Sequence, residues 1–237
     1  MSIAIDRLRV ERGAAVVVDE ATLRIEAGAW FGVIGANGSG KTSLLRALAG
    51  RLPIVSGACV IDGISCAEDR AVRAQMIGFA PSIETLPGAL LARDLLEIVA
   101  GRSDDALVSI GPLRVALAID RLLDRPIGTC SAGMRQRIAL ACAFADGKRI
   151  VVLDEPFNWL DPVAAYDVRM ALRVMADDGL TLVTALHDLT TMGMACDAAA
   201  LLSSGRVALG IDAAMIAEAR RDPATFEHRT IALLRGG

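Results

Sequence analysis

Lysine is almost missing from this chain. Of 25 lysine and arginine residues among 237, only Lys41 and Lys148 are lysines. Aromatic residues are also scarce, at 3%. The five cysteines, Cys59, Cys66, Cys130, Cys142 and Cys196, are odd in number and form no C-x-x-C. That argues against a disulfide framework or a zinc site and predicts small buried thiols in a reducing cytosol. The longest uncharged run, Ala27 to Gly40, is broken by glycines and falls short of the roughly 20 apolar residues of a spanning helix. The N-terminal MSIAIDRLRV carries charges where a signal peptide has its apolar stretch. A net charge of -3 argues against a surface built to coat nucleic acid, and 54% hydrophobic residues exclude disorder. The length fits one large domain, or one domain with a small lobe, able to bury roughly 70–75% of its unfolded surface.

What is present reads as alternating strands and helices. Ile3, Ile5, Leu8 and Val10, then Val16 to Val18 and Leu23 to Ile25, suit strands. Trp30 to Ile34 is a short apolar run of the kind found in buried parallel strands, followed by helical spacing from Lys41 to Arg51. Cys59 to Asp62 and Ile77 to Ala80 are further short strands. Between about 83 and 130 the character changes. Leu90 to Val99 and Pro112 to Leu123 predict two helices, with Gly101, Gly111 and Pro126 as punctuation. The remainder predicts helices at Ser131–Ala145 and Pro162–Met175, strands at Ile150–Leu153, Leu180–Ala185 and Ala198–Leu202, and a helical tail from Asp222. Such alternation indicates an α/β fold with a parallel sheet covered on both faces.

Gly35-Ala36-Asn37-Gly38-Ser39-Gly40-Lys41-Thr42, followed by Ser43, matches G-x-x-x-x-G-K-[ST] between an apolar strand and a helix. Glycines let the backbone fold tightly enough to aim its N–H groups at a ligand, and the helix that follows presents its positive end to the same point. Lys41 would bridge the outer phosphates and the Thr42 hydroxyl would ligate Mg²⁺. A chance match in a chain of this length is on the order of 1%. Further on, Ile150 to Leu153 ends in Asp154-Glu155. Ligands of parallel sheets gather at the carboxyl ends of strands, so Asp154 can hold Mg²⁺ through water. Glu155 can stand near the γ-phosphate as general base for the attacking water.

With these two segments the chain resembles the nucleotide-binding subunit of an ABC transporter over nearly its whole length. Cys130-Ser131-Ala132-Gly133-Met134-Arg135-Gln136-Arg137 matches the family signature loosely, Asn158-Trp159-Leu160-Asp161 the D-loop, and His187 the switch histidine. The resemblance implies a P-loop NTPase fold with a parallel-sheet core, an antiparallel β subdomain and a small helical lobe. It also implies a single domain in which 1–82 and 131–237 are the core and about 83–130 the lobe. It implies ATP and Mg²⁺ as ligands and a sandwich of two ATP molecules between two subunits, identical or different. Ser131, an N-cap by its own chemistry, and Gly133 would face the partner's γ-phosphate. Asp161 would lie at the seam, and His187 would sense the γ-phosphate. It further implies integral membrane permease subunits as partners and a cytoplasmic location, peripheral on the inner face of the cell membrane.

Three departures qualify the match. Arg12 falls where the family stacks an aromatic ring on adenine. A guanidinium can also stack, and an ordinary solvated turn residue is an equal reading. Ser82 takes the place of the Q-loop glutamine that reaches Mg²⁺ and water, and could act there only through water. Glu84 is near, but nothing in the sequence assigns it that work. Cys130, Ala132 and Met134 replace the usual signature residues. These changes predict slow turnover or altered coupling. They leave open an ATP-binding regulatory subunit with little hydrolysis, opposed by Glu155 and His187. A soluble ABC ATPase working on nucleic acid or in cofactor assembly is disfavoured by the acidic balance and the lack of long insertions. A GTPase is disfavoured too, because Lys148 follows Gly147 and no N-K-x-D segment exists.

Overall fold

The apolar alternation at the N-terminus folds into a hairpin, β1 (Ile3–Arg12) and β2 (Ala15–Ile25), with Ile3 opposite Ile25 and Arg12 opposite Ala15. Ile3, Ile5, Leu8 and Val10 point inward and are buried. The computed structural model describes residues 3–101 and 103–236. Strand β3 (Trp30–Ile34) is buried at every position, as expected of a continuous apolar run covered on both faces, and leads to α1 (Lys41–Leu48). Strands β4 (Ser56–Ile61) and β5 (Ile64–Ser65) complete a four-stranded antiparallel sheet of order β2-β1-β4-β5. Helix α2 (Arg70–Met76), capped by the Asp69 side chain, runs into β6 (Ile77–Phe79).

A helical segment follows, with α3 (Ala92–Ala100), α4 (Ser103–Ile110) and α5 (Leu113–Ala116), then 3₁₀ turns at 119–121 and 127–129. The single helix expected over Pro112–Leu123 does not form. Leu117 and Ile119 are both fully buried, yet two residues apart on one helix they would face opposite ways. Ala118 resolves this by taking a left-handed conformation, φ 48°, which ends the helix and turns both side chains inward.

The rest of the chain is α6 (Ala132–Phe144), β7 (Ile150–Asp154), α7 (Pro162–Asp177), β8 (Thr181–Leu186), α8 (Leu189–Ala195), β9 (Ala198–Ser203), β10 (Arg206–Ile211), α9 (Ala213–Arg221) and α10 (Pro223–Gly236). The second sheet has the order β10-β9-β3-β8-β7-β6. Its neighbours from β9 to β6 are parallel, and β10 is an antiparallel edge. One face of this sheet packs on α6, α7 and the helical segment, the other on α1 and the antiparallel sheet.

Two buried polar contacts tie distant parts together. The Trp30 indole N–H donates to the Thr184 hydroxyl at 2.9 Å across the β3–β8 pair. Arg73 is fully buried, with no carboxylate partner among the described residues. Its guanidinium donates to the carbonyls of Ala47, Leu52, Cys66 and Ala67, joining the end of α1 to the β5–α2 segment. All five cysteines are buried and unpaired, and burial pushes the thiols of Cys59 and Cys142 up to about 12.

Candidate nucleotide site

Strand register brings the expected residues together. In the parallel pairs Ile34 lies beside Leu186 and Asp154 beside Ala185. The loop after β3, the acids after β7 and His187 after β8 therefore leave the sheet at one edge, where parallel sheets bind ligands. Gly40 adopts φ 105°, and a Cβ there would stand 2.4 Å from the Val17 carbonyl oxygen, so only glycine lets the loop pass beneath β2. Lys41 is 4% exposed, and its ammonium donates to the carbonyls of Gly35 at 2.7 Å and Ala36 at 3.1 Å, holding the loop closed around itself.

Two features fit the loop to an anion. Helix α1 begins at Gly40 with no side-chain cap and no acidic residue in its first turn. The N–H groups of that turn are left for an external acceptor. The Ser39 hydroxyl is buried and has no hydrogen-bond partner among the described residues, an orphan that a phosphate oxygen would satisfy.

The Thr42 hydroxyl donates to Asp154 Oδ1 at 3.3 Å. Burial pushes the Asp154 carboxyl up from the usual carboxylate range and the neighbouring Glu155 charge adds to this, while the Thr42 bond opposes it. Glu155 sits in a left-handed conformation, φ 53°, with its N–H on the Ala185 carbonyl at 3.3 Å. Its Oε2 meets His187 Nε2 at 2.7 Å and accepts from Asn158 Nδ2 at 2.8 Å. A cavity of about 170 Å³ opens between these acids and the loop after β6, with Thr42, Arg46, Ser82, Glu84, Asp154 and Glu155 on its walls. Its hydroxyl and carboxylate groups supply oxygen ligands, suited to a hard cation. Among the described residues no three acidic, histidine or cysteine side chains converge closely enough to hold a metal alone. Thr42 and Asp154 thus fit an ion that draws its remaining ligands from phosphate and water, the habit of Mg²⁺.

Ser131, Gly133 and Asp161 are not in this cavity. They line a separate groove of about 500 Å³ together with Arg121, Arg125 and Arg137. Ser131 caps α6, accepting from the Met134 N–H at 3.3 Å. Asp161 caps α7, and its bond from the Ala164 N–H, with Arg137 3.4 Å away, holds its carboxyl below the usual range. A Cβ on Gly133 would come within 2.7 Å of the Trp159 carbonyl oxygen, so α6 and the segment before Asp161 touch backbone to backbone. Arg12 is exposed at the end of β1, where the hairpin turns. Ser82 does line the phosphate-side cavity, but its hydroxyl is committed to Glu84.

Sequence reasoning gave no role to Asn158 as an individual residue, to Gln136, whose buried amide donates to the Pro156 carbonyl at 3.0 Å, or to Arg46, whose charge favours ionised Asp154. Gln136 and Asn158 lie inside matched motifs, so their positions were visible and their contacts were not.

A family model described as ABC transporter matches residues 18–158. The chain is 33% identical over 210 residues to a hemin import ATP-binding protein of Pseudomonas fluorescens, covering 84% of this chain and 82% of that one. It is 30% identical over 211 residues to a Nod factor export ATP-binding protein of Sinorhizobium fredii, covering 86% and 61%. Among solved structures, the ATP-binding subunit of an ABC transporter superposes with a TM-score of 0.85 at 22% identity, over 98% and 99% of the two chains. A dimeric ATP-binding cassette in a post-hydrolysis state bound to ADP and Pi gives 0.78 at 22%, over 89% and 98%. The fold is that of the P-loop ATPase cassettes, and the antiparallel sheet and parallel core agree with it.

Proposed function

The chain belongs to the ABC transporter family as one of its ATP-binding, ATPase components, and from that premise we propose that it hydrolyses ATP to drive transport through separate membrane subunits. The observation that carries the reading is the meeting, at one sheet edge, of an uncapped helix start with an orphan hydroxyl, a buried lysine, and the Thr42–Asp154 and Glu155–His187 pairs. In this reading the backbone of Gly35 to Thr42, flanked by Ser43, cradles the phosphates, and Lys41 turns its charge from carbonyls to the outer phosphate oxygens. Thr42 and Asp154 hold Mg²⁺, which when bound neutralises charge on the phosphates. The Glu155 carboxylate orients a water and takes its proton, and Asn158 and His187 fix the carboxylate for that task. His187 also contacts the γ-phosphate and senses its loss.

Ser131, Gly133 and Asp161 belong to the other half of the same chemistry. Their separation from the loop in one chain supports a dimer in which each groove meets the partner's ATP. Arg12 lies on a hairpin whose strand β2 touches the loop at Val17, a location compatible with stacking on adenine. The helical segment between 83 and 130, with the loop after β6, offers the face for a permease helix. The chain then works in the cytoplasm, peripheral on the inner face of the cell membrane. No described helix is long and apolar enough to cross a membrane. The substitutions at Cys130, Ala132 and Met134 favour slow turnover and keep the low-turnover regulatory subunit as a second reading.

Phosphate release from ATP and Mg²⁺ separates the two. Hydrolysis that falls by on the order of a hundredfold or more in Lys41→Ala and Glu155→Gln supports the ATPase. Turnover at the level of these variants in the unaltered chain supports the regulator. Recovery with an integral membrane protein tests the transport role, and a chain never found with one contradicts it.

A further inference from the structure

We propose that Glu84 is a further metal-facing carboxylate of this site, acting through a water in the cavity it shares with Thr42 and Asp154. The inference rests on the nucleotide-site reading above. Ser82 and Glu84 line the same cavity as Thr42, Asp154 and Glu155. The Ser82 hydroxyl donates to Glu84 Oε2. The Ser82 carbonyl in turn accepts from the Thr85 hydroxyl at 2.8 Å and the Thr85 N–H at 3.0 Å. The turn is therefore closed by three bonds, one of which holds the carboxylate against position 82.

The reach of that carboxylate can be worked out. A serine Oγ stands where a longer side chain has its Cγ. The amide oxygen of a glutamine lies about 2.4 Å from its own Cγ, and a carboxylate oxygen accepting from a hydroxyl lies about 2.7 Å from it. Glu84 thus places a carboxylate oxygen about as far from Ser82 Oγ as a glutamine's amide oxygen lies from its own Cγ. The other residues of the loop that line the cavity, Phe79, Ala80, Pro81 and Ile83, offer no side-chain oxygen. No three acidic, histidine or cysteine side chains converge among the described residues, so the contact runs through a water, of which Mg²⁺ keeps several.

Mn²⁺ titrated into the ADP-loaded chain, with free Mn²⁺ followed by its electron paramagnetic resonance signal, reads this without turnover. Glu84→Ala is expected to weaken Mn²⁺ binding about tenfold, the scale typical of losing an outer-shell partner of a metal. Ser82→Gln on the Glu84→Ala background is expected to recover most of that loss. Thr42→Ala is the control on the site itself and must weaken binding in either case. Loss in Thr42→Ala with none in Glu84→Ala overturns the role of Glu84 and leaves the site standing. Binding untouched by both overturns the site reading and the inference with it. A loss in Glu84→Ala that Ser82→Gln fails to recover overturns the equivalence of the two positions.

Discussion

Gly133→Ala should separate folding from function. Gly133 lies in the first turn of α6 with ordinary helical φ, where alanine is intrinsically favoured by about 1 kcal/mol. Its new Cβ, however, would stand 2.7 Å from the Trp159 carbonyl oxygen, where ordinary contact begins at 3.4 Å. The start of α6 and the Trp159–Asp161 segment must therefore part by about 0.7 Å. Overpacking of this kind costs about 1–3 kcal/mol, so the two effects offset to a net loss of at most about 2 kcal/mol, and the chain still folds. Function is more exacting. A 1 Å misplacement can cost on the order of a hundredfold in rate, and here both displaced segments belong to the face that the proposed dimer closes over ATP. ATP turnover is expected to fall on the order of ten- to a hundredfold, with Tm lowered by at most about 4–8 °C. Steady-state phosphate release and a thermal melt of the same preparation give both numbers. Wild-type turnover in a well-folded Gly133→Ala chain would refute the claim that this contact positions a reacting face.

Other perturbations follow from the same geometry. Burial raises the Asp154 pKa, so the folded chain disfavours the charged form and its contribution to stability is lost as pH rises through the raised value. Asp154→Asn should raise the melting temperature of the nucleotide-free chain at pH 7, with the gain shrinking as pH falls through the carboxylate range, while Mn²⁺ binding is lost. A gain that persists unchanged at low pH would argue against this cause. Thr184→Val leaves the fully buried Trp30 indole N–H without its acceptor. It should cost about 1–3 kcal/mol, read as a drop in the urea midpoint. Arg73→Met removes the donor to the carbonyls of Ala47, Leu52, Cys66 and Ala67 together, of which Ala47 keeps the Gly50 N–H. It should cost more than the Thr184 change, and a smaller shift in midpoint would contradict the network described.

Local chemistry was legible in the sequence and long-range contact was not. The loop from Gly35 to Thr42 and the acids after Leu153 could be placed because strand, turn and helix signals surround each of them within a few residues. Trp30 and Thr184 are 154 residues apart, and neither announces the other. The single helix read across Pro112–Leu123 was wrong because spacing alone cannot register that Leu117 and Ile119 must face the same core. Helices α2, α4, α8 and α9 and the edge strand β10 were also passed over, being short or weakly periodic. Ser82 could be read only as a shorter residue acting through water, and Glu84 two residues on carried no sign of its contact with it, because only the folded turn brings the two side chains together.

The central claim is that Glu155 acts on ATP held at this sheet edge and closed over by a second cassette. Sedimentation of Glu155→Gln with and without ATP tests it most directly. The account predicts a monomer without nucleotide, a stable dimer with ATP, and turnover on the order of a hundredfold below the unaltered chain. A variant that stays monomeric with ATP and still hydrolyses it at the original rate would contradict the account.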